Sequence, residues 1–449
     1  MKIRKLLCAI IAVITITSAF AFTACGKKDP IDENDPLSGV KISVGIANNS
    51  SEKAILNTFR NAYLKKYPTR KVETNYFNSN FDNDLASRVN SKKVPDVVQV
   101  YDFSAEYWTS KGVFTPLDDL MEKDGIKESD YFESIIDMTK SGTDGKKYWV
   151  ARDYNKTVIA INKEMFEIAG VALPNDNWTW EEFVSTCEAL EAKKTEIMSH
   201  FGQEIFYAID ANLNWEAVYY PAIKSYGGDL FDTTNNTALK NLDGVKEGLG
   251  KWANLVDEGL AVNPSDASSG AFAGKQTAMQ IIVRPSVTAL ANNIKDANGD
   301  SRLDFVAMPT FTDDNVETSY IGVGCTGYAL SSFSTGKQAE AAWEFIKFVI
   351  SEEGQEAFSK SGAGIPSLKA MALDENATYR TFLPNANHDA FVKFMERDLS
   401  MNYLHGTKVN NHLNIRSTLQ GELMKNLVNA KDLTAYYNTL KSKLESAMK

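Results

Sequence analysis

One segment of the chain carries the glycine spacing of a dinucleotide-binding loop, with Gly322, Gly324 and Gly327 in the pattern G-x-G-x-x-G. A functional loop of this kind follows a strand and opens a helix, whose first amides bind a pyrophosphate. Here residues 328–332 read as extended, and a helical pattern begins only near Gly336. We therefore interpret the match as accidental and expect no dinucleotide cofactor.

Side chains that could bind a metal ion are poorly spaced for that purpose. Residues 296–300 begin like a calcium loop, but Ser301 stands where the loop needs glycine and Ala307 where it needs glutamate. The histidines lack i,i+4 spacing and cysteine partners, which disfavours a zinc site. They are His200, His388, His405 and His412. We predict no metal site.

Sequence motifs of common enzyme classes are missing as well. The chain contains no G-x-S-x-G, no P-loop and no H-E-x-x-H. Paired acids such as Asp118 and Asp119 fall in polar helical stretches, where a solvated face is the usual explanation. The residues therefore favour a protein that is not an enzyme and needs no cofactor.

The elements at the start of the chain alternate between strand and helix patterns. Period-two alternation or short apolar runs predict strands at residues 40–46, 71–76 and 96–100. Helical periodicity predicts helices at residues 54–66 and 82–91. A β–α–β–α–β order indicates an α/β fold with a mostly parallel sheet and helices on both faces.

Polar residues follow two of these predicted strands. Asn49 and Ser50 come after the first strand, and Asp102 comes after the third. Ligands of such sheets bind outside the carboxyl ends of the strands. These residues are therefore candidates for a binding cleft, although Asp102 could equally cap a helix.

Two further stretches have clear helical signals. Thr179 and Glu182 form a capping box, which predicts a helix through about Lys194 with Trp180 and Phe183 as core anchors. Residues 336–359 read as one long amphipathic helix. We expect the tryptophans at 178 and 180 to be structural.

The first 26 residues have the pattern of an exported chain. Basic residues precede an almost unbroken apolar run at residues 6–22, and small residues precede Cys25. This pattern predicts a secretory signal over residues 1–24, too short for an ordinary membrane span. Ending on Ala-Cys-Gly, it resembles the lipobox of bacterial lipoproteins, in which the cysteine is diacylated. The alternative is a plain signal peptide with an incidental cysteine.

Two acyl chains on Cys25 would give a stable anchor, since each buried methylene contributes ~0.8 kcal/mol. We therefore expect a chain tethered to the outer face of a bacterial cell membrane, with residues 25–39 as a polar, disordered linker.

Without residues 1–24 the chain has 45 Lys and Arg against 58 Asp and Glu, a balance of −13. This acidity disfavours nucleic acid as a partner. Cys187 and Cys325 are either paired or two buried thiols.

Several strings spread over the mature chain resemble the extracellular solute-binding proteins of family 1. They lie at residues 95–98, 112–120, 162–171, 178–183, 226–232, 269–279, 341–348 and 351–355. The resemblance implies a sugar-binding lipoprotein of an ABC importer, with the two-lobed type II fold of maltose-binding proteins. The ligand would lie in a cleft between the lobes, which close by a hinge motion.

This resemblance implies domain boundaries and partners. The N-terminal lobe would hold residues 40–152 and 303–370, and the C-terminal lobe residues 157–300 and 371–449. The expected partners are a carbohydrate, expected to be an oligosaccharide, and the permease subunits of the transporter, with the chain as a monomer. Alternatives are a sugar acid, polyamine or peptide as ligand, or a lipid-anchored glycosidase.

The same resemblance suggests which side chains contact the ligand. Asp153 and Tyr154 would lie at the first crossing between lobes, and Gly322 is a further candidate contact. Trp215 sits in a polar loop, residues 212–216, which favours stacking on a sugar over core packing. Arg284 departs from the pattern usual in the family and could bind hydroxyls or a carboxylate.

Overall fold

The computed structural model describes residues 31–78, 80–232, 234–235, 237–266, 270–312, 318–404 and 412–448. The predicted signal, Cys25 and the first part of the predicted linker lie outside these residues. So do His405 and the side chain of His412.

The strands alternate with helices along most of the chain. The strands are β1 (Lys41–Ala47), β2 (Lys71–Phe77), β3 (Val97–Tyr101), β4 (Val150–Ala151), β5 (Asp153–Lys156), β6 (Val158–Asn162), β7 (Tyr207–Asp210), β8 (Asp229–Asp232), β9 (Thr237–Lys240), β10 (Thr277–Ile282), β11 (Leu303–Ala307), β12 (Ile321–Gly324), β13 (Thr326–Leu330), β14 (Ile365–Pro366) and β15 (Asp398–Ser400).

The α-helices are α1 (Ser50–Lys66), α2 (Phe81–Asn90), α3 (Asp102–Ser110), α4 (Asp118–Lys123), α5 (Glu133–Thr139), α6 (Lys163–Ala169), α7 (Trp180–Glu191), α8 (Lys194–Phe201), α9 (Glu216–Ser225), α10 (Leu242–Asp257), α11 (Val287–Asn293), α12 (Gly336–Val349), α13 (Glu352–Lys360), α14 (Lys369–Leu373), α15 (His412–Val428) and α16 (Leu433–Ala447). Short 3-10 helices include Arg284–Ser286, Thr378–Phe382 and His388–Phe391.

The first lobe is built on a five-stranded sheet in the order β2-β1-β3-β13-β4. Strands β1, β2 and β3 run parallel, as the alternating pattern predicted, while β13 runs antiparallel to both β3 and β4. Phe59 and Tyr63 of α1 pack with Phe345 and Ile346 of α12 against buried residues of this sheet such as Val44. Helix α1 begins four residues before the predicted start, because Asn49 caps it by accepting a hydrogen bond from the amide of Glu52 at 2.9 Å.

The second lobe is built on a four-stranded sheet in the order β11-β6-β10-β7. Strand β10 runs parallel to β7, and β6 runs antiparallel to both β10 and β11. Trp180 and Phe183 lie in the core of this lobe, and the capping box of α7 is present as predicted. Helix α15 joins the same core through Ile415, Leu419 and Leu423.

Strand β11 corrects the boundary expected near residue 303. It pairs with β6 from Leu303 to Ala307, so these residues belong to the second sheet and not to the returning part of the first lobe. The boundary near residue 371 is also less sharp than expected. The amide of Tyr379 donates to the hydroxyl of Ser359 in α13, and its carbonyl accepts from Arg284, so Tyr379 touches both lobes.

A third sheet, in the order β14-β5-β12-β15, joins the lobes. Strand β5 carries the chain from β4 to β6, and β12 carries it back from the second sheet to β13. These two crossings pair antiparallel, and β15, which leads toward α15, pairs parallel with β12. The segments that pass between the lobes therefore lie side by side as hydrogen-bonded strands.

The amphipathic stretch at residues 336–359 forms two helices, α12 and α13, where one was predicted. Ser351 caps α13 by accepting from the amide of Gly354 at 3.3 Å. A Cβ on Gly354 would lie 2.1 Å from the carbonyl oxygen of Phe348, so the bend needs glycine there.

Cys187 and Cys325 are separate buried thiols, which decides between the two readings of the sequence. Residues 328–330 lie in strand β13, which confirms that the G-x-G-x-x-G match does not open a helix. Within the described ranges, no helix has the length and apolar character needed to cross a membrane.

Candidate functional site

The carboxyl ends of parallel strands mark one edge of each main sheet. In the first lobe, β1 ends before Asn49 and β3 ends before Asp102. In the second lobe, β7 ends at Asp210 and its parallel neighbour β10 ends at Ile282. The predicted cleft residues Asn49, Ser50, Asp102 and Trp215 all follow such ends, as expected for a ligand site in an α/β sheet.

A cavity of about 570 Å³ opens at this edge of the second lobe. Its walls are mainly polar, and it is lined by Asn212, Asn214, Trp215, Gln280, Ile281, Ile282, Val283, Ser286, Arg416 and Gln420. Its volume falls within the range of ~300–1,000 Å³ that is usual for small-molecule sites. The cavity thus offers several amide groups and one indole ring to an occupant.

Trp215 lies where the loop after β7 turns into helix α9. It is the N-cap residue of α9, and its amide donates to the carbonyl of Asn212 at 2.9 Å. Its ring is half-buried, packing on the core of the second lobe while also lining the cavity. The indole is therefore supported from behind and accessible from the cavity.

Behind Trp215, the buried carboxylate of Glu216 holds two cavity side chains from helix α15. Arg416 approaches Glu216 Oε1 with Nε at 2.7 Å and Nη2 at 2.6 Å. Gln420 donates from Nε2 to Oε2 at 2.6 Å. The side chain of Glu216 is only 2 % exposed, whereas that of Arg416 is 22 % exposed. Glu216 therefore fixes the positions of the Arg416 and Gln420 side chains in the cavity wall.

Arg416 also reaches the first lobe. Its guanidinium carbon lies 3.5 Å from the ring centroid of Phe103, in α3. The ring of Phe103 is stacked with that of Tyr101 at 5.2 Å, and Tyr101 meets the edge of Phe81 at 5.5 Å. The first lobe thus brings a group of partly exposed aromatic rings to the cleft, opposite the cavity of the second lobe.

Asp102 starts helix α3 and is 8 % exposed. Its carboxylate accepts from the amide of Phe103 at 2.7 Å and from that of Cys325 at 3.2 Å. Burial raises the pKa of Asp102 to about 7, and Glu216 adds to the effect, while the amide bonds and Arg416 oppose it. Tyr101 is the N-cap residue of α3, so Asp102 is not the helix cap of the alternative prediction, and its carboxylate is instead bound by the amides of Phe103 and Cys325.

Asn49 and Ser50 are exposed at the edge of the first sheet. Asn49 uses its side-chain oxygen as the cap of α1, which leaves its amide NH₂ for other partners. Across the cleft, Gln280 donates to the carboxylate of Asp210 at 3.0 Å, and burial raises the pKa of Asp210.

The predicted pair Asp153 and Tyr154 lies inside the crossing strand and not on a ligand surface. Asp153 is 1 % exposed and accepts from the amide of Thr326 at 2.7 Å and from Nε of Arg152 at 3.1 Å. Tyr154 is fully buried, stacks on Phe132 and donates to Asp398 at 2.7 Å. These residues brace the crossing, since β5 is paired along both edges and all four of its residues are buried.

Arg284 and Gly322 are also enclosed by protein. Arg284 is fully buried and donates from Nη2 to the carbonyl of Tyr379 at 2.9 Å, and burial lowers its pKa to about 10. A Cβ on Gly322 would lie 2.5 Å from the carbonyl oxygen of Ala217, so this glycine permits close packing of β12 on α9. Both positions serve packing here, and we leave them out of the proposed site.

The structure adds residues that the sequence reading missed, chiefly Phe103, Gln280, Arg416 and Gln420. Gln280 interrupts the buried residues of β10 as the strand's one partly exposed position, and an amide within this apolar run was a usable signal. Arg416 and Gln420 are four residues apart on a polar helix, a spacing that usually indicates a solvated face. Only their partner Glu216, 200 residues earlier in the chain, gives them a role.

The chain matches a known family over most of its length. The model of the family described as bacterial extracellular solute-binding protein covers residues 58–382. A binding protein of Brucella abortus is 23% identical over 291 residues, which cover 64% of this chain and 65% of that protein. The chain thus spans less than two thirds of the length of this relative. The multiple sugar-binding protein of Streptococcus mutans is 23% identical over 301 residues, 65% of this chain and 67% of that protein.

Solved structures support the same fold. The sugar-binding protein MalE from Xanthomonas citri is similar with a TM-score of 0.72 at 16% identity, covering 91% of this chain and 97% of that one. Likeness at this level of identity concerns the fold. It confirms the predicted two-lobed α/β architecture.

Proposed function

Because this chain belongs to the bacterial extracellular solute-binding proteins, we propose that it captures a carbohydrate between its lobes and delivers it to the permease of an ABC transporter. The expected ligand is an oligosaccharide. Family and fold are those of non-enzymatic transport components, so the glycosidase alternative is set aside.

The observation that carries the proposal is the composition of the cavity wall. Asn212, Asn214, Gln280 and Gln420 contribute carboxamides around the indole of Trp215. A carboxamide can donate to one hydroxyl and accept from another, which suits the vicinal hydroxyls of a sugar. An aromatic face suits the apolar C–H surface of a sugar ring. This combination favours a neutral polyol over an apolar ligand.

Opposite the cavity, the first lobe offers Phe81, Tyr101 and Phe103. A ligand that touches both these rings and Trp215 would interact with both lobes at once. Such contacts shift the population toward a closed form, because only that form makes all of them. The paired crossing strands supply a hinge for this motion.

A polyamine is the second candidate ligand. Asp102 and Asp210 place carboxyl groups near the cleft, and the charge of Arg416 is balanced by Glu216. This arrangement favours a cation over an anion, so a sugar acid is the less favoured alternative. A peptide ligand has no specific support among the described side chains.

We further propose that Cys25 carries a lipid anchor that holds a monomer at the outer face of the bacterial cell membrane. The described part of the predicted linker is bound to the first lobe and is not the disordered segment expected: Asp35 forms an ion pair with Arg70, which also binds Glu344 at 2.8 Å, and Leu37 packs against the core. This clamp would fix the end of the tether to the first lobe.

A ligand screen tests the proposal. Purified chain is heated with neutral mono- and oligosaccharides, sugar acids, polyamines and short peptides, and any stabilising compound is titrated by calorimetry. We expect saturable binding of a neutral oligosaccharide and a smaller radius of gyration in solution scattering with it. Stabilisation by polyamines alone would replace the carbohydrate by the second candidate, and binding of peptides alone would reject both.

A further inference from the structure

One of the described contacts between the lobes pairs a cation with an aromatic ring at the cleft. Phe103 belongs to α3, which follows β3 of the first sheet, and Arg416 belongs to α15, which packs in the second core. Their separation of 3.5 Å from guanidinium carbon to ring centroid is well inside the ~6 Å limit of a cation–π interaction. The contact therefore depends on how far apart the lobes stand.

Arg416 is held in place by the second lobe alone. Both Nε and Nη2 approach the same oxygen of Glu216, and Gln420 occupies the other oxygen. Glu216 is buried at the start of α9, so its charge needs these partners. The guanidinium plane is thus fixed before any group of the first lobe approaches it.

Phe103 is likewise held by the first lobe alone. Its ring stacks with Tyr101 at an interplanar angle of 11°, and Tyr101 meets Phe81 at 80°. Two preformed surfaces, one planar cation and one aromatic ring, therefore meet at the mouth of the cavity. Arg416 is also part of the cavity wall, so the same side chain contacts the first lobe and the space for a ligand.

We propose that Glu216 is a positioning residue that presents Arg416 to Phe103, and that this contact sets the separation of the lobes at the cleft before ligand binds. Arg416 then determines specificity, because a ligand must fit the gap that the contact defines. The inference deepens the proposed function, but the geometry of the lobes is measurable without any ligand.

The test is a distance measurement between the lobes in the absence of added ligand. Spin labels are placed on exposed helix positions, through Asn57→Cys in α1 and Glu247→Cys in α10, in a full chain carrying Cys8→Ala and Cys25→Ala. The native thiols Cys187 and Cys325 are buried and do not compete for label. Double electron–electron resonance spectroscopy then gives the distribution of distances between the two labels, and so between the lobes.

We compare Arg416→Gln, Phe103→Leu and Glu216→Gln with the parent chain. Each should shift the distribution to longer distances or broaden it, because each removes one part of the contact. Arg416→Lys should give an intermediate shift, since it keeps the charge and loses the planar group. The matched control is Lys425→Gln, which removes an exposed cation from the same helix.

A distribution that stays unchanged in both Arg416→Gln and Phe103→Leu would overturn the inference. If Glu216→Gln melts at a much lower temperature, the two cleft variants still decide the matter, because neither residue is fully buried. The inference would also be overturned if the cleft variants shifted the distance distribution no more than Lys425→Gln does. Failure of the sugar screen leaves this measurement intact, so the two proposals fail separately.

Discussion

Lys156 Nζ lies 2.6 Å from Asp398 Oδ1, which joins crossing strand β5 to β15 by an ion pair. Neither side chain is more than 4 % exposed. Asp398 also accepts from the hydroxyls of Tyr154 at 2.7 Å and Ser134 at 2.9 Å. Burial lowers the pKa of Lys156 and raises that of Asp398, whereas their mutual attraction opposes both shifts.

We expect Lys156→Met to lower the free energy of unfolding by ~3–5 kcal/mol, because it leaves the buried carboxylate of Asp398 without its cation. Chemical denaturation would measure this. The control is Lys441→Met, which breaks an exposed pair with Glu445 at 3.9 Å and should cost less than about 1 kcal/mol. If the two substitutions lowered the free energy of unfolding equally, the ion pair between Lys156 and Asp398 would contribute no more to stability than an exposed pair.

The raised pKa of Asp102 predicts a dependence of stability on pH. The folded value of about 7 lies above the ordinary value of 3.8, so the folded state binds this proton more tightly. The group therefore stabilises the fold fully below about pH 4, and this contribution is lost as the pH rises through about 7.

Relative to Asp102→Asn, the parent chain should lose up to about 4 kcal/mol of unfolding free energy over that range, at ~1.4 kcal/mol per pKa unit. Urea unfolding of both chains at several pH values measures the difference, and other titrating groups cancel. A difference that stays constant with pH would mean that Asp102 titrates normally.

Trp215→Ala should weaken ligand binding by ~1–3 kcal/mol, which is what the burial of one aromatic face contributes. Its melting temperature should fall only modestly, since the ring is half-buried. Trp180→Ala is the matched control: Trp180 is 4 % exposed in the core, and its loss should lower the melting temperature strongly. A large drop for Trp215→Ala with unchanged affinity would make Trp215 a core residue. Calorimetric titration and thermal melts give both quantities.

Cys25→Ala should release the chain from membranes or leave it unprocessed, because the expected acylation site is gone. Fractionation of cells and metabolic labelling with a fatty acid provide the measurement. Cys8→Ala is the control, since that cysteine lies within the predicted signal and is removed with it. Membrane retention of a processed Cys25→Ala chain would rule out the anchor.

The opening of the fold was predictable because its signals are local. Strands β1 to β3 and the cap of α7 each depend on periodicity or on residues within one turn, and the structure places them within a few residues of the expected positions. The edge that carries Asn49 and Asp102 followed from the same β–α order. These residues could be found because loop position depends on the order of elements alone.

The rest of the site was not predictable because it depends on contacts distant in sequence. Arg416 has a role only through Glu216, and Phe103 only through Arg416. The crossing strands contain three or four residues each, too few for a periodic pattern, so Tyr154 was assigned to a ligand surface although it is buried. Strand β11 was misplaced because an apolar run does not reveal which sheet it joins.

The ribbon formed by β5, β12 and β15 has a mechanical consequence. Paired strands bend readily across their plane, but sliding them past one another would break the hydrogen bonds of the whole ladder. The lobes should therefore rotate relative to one another by bending of this sheet, and should resist motions that twist it or slide its strands. A protease that cut the chain at any one of these strands would leave the two lobes connected through the other two strands.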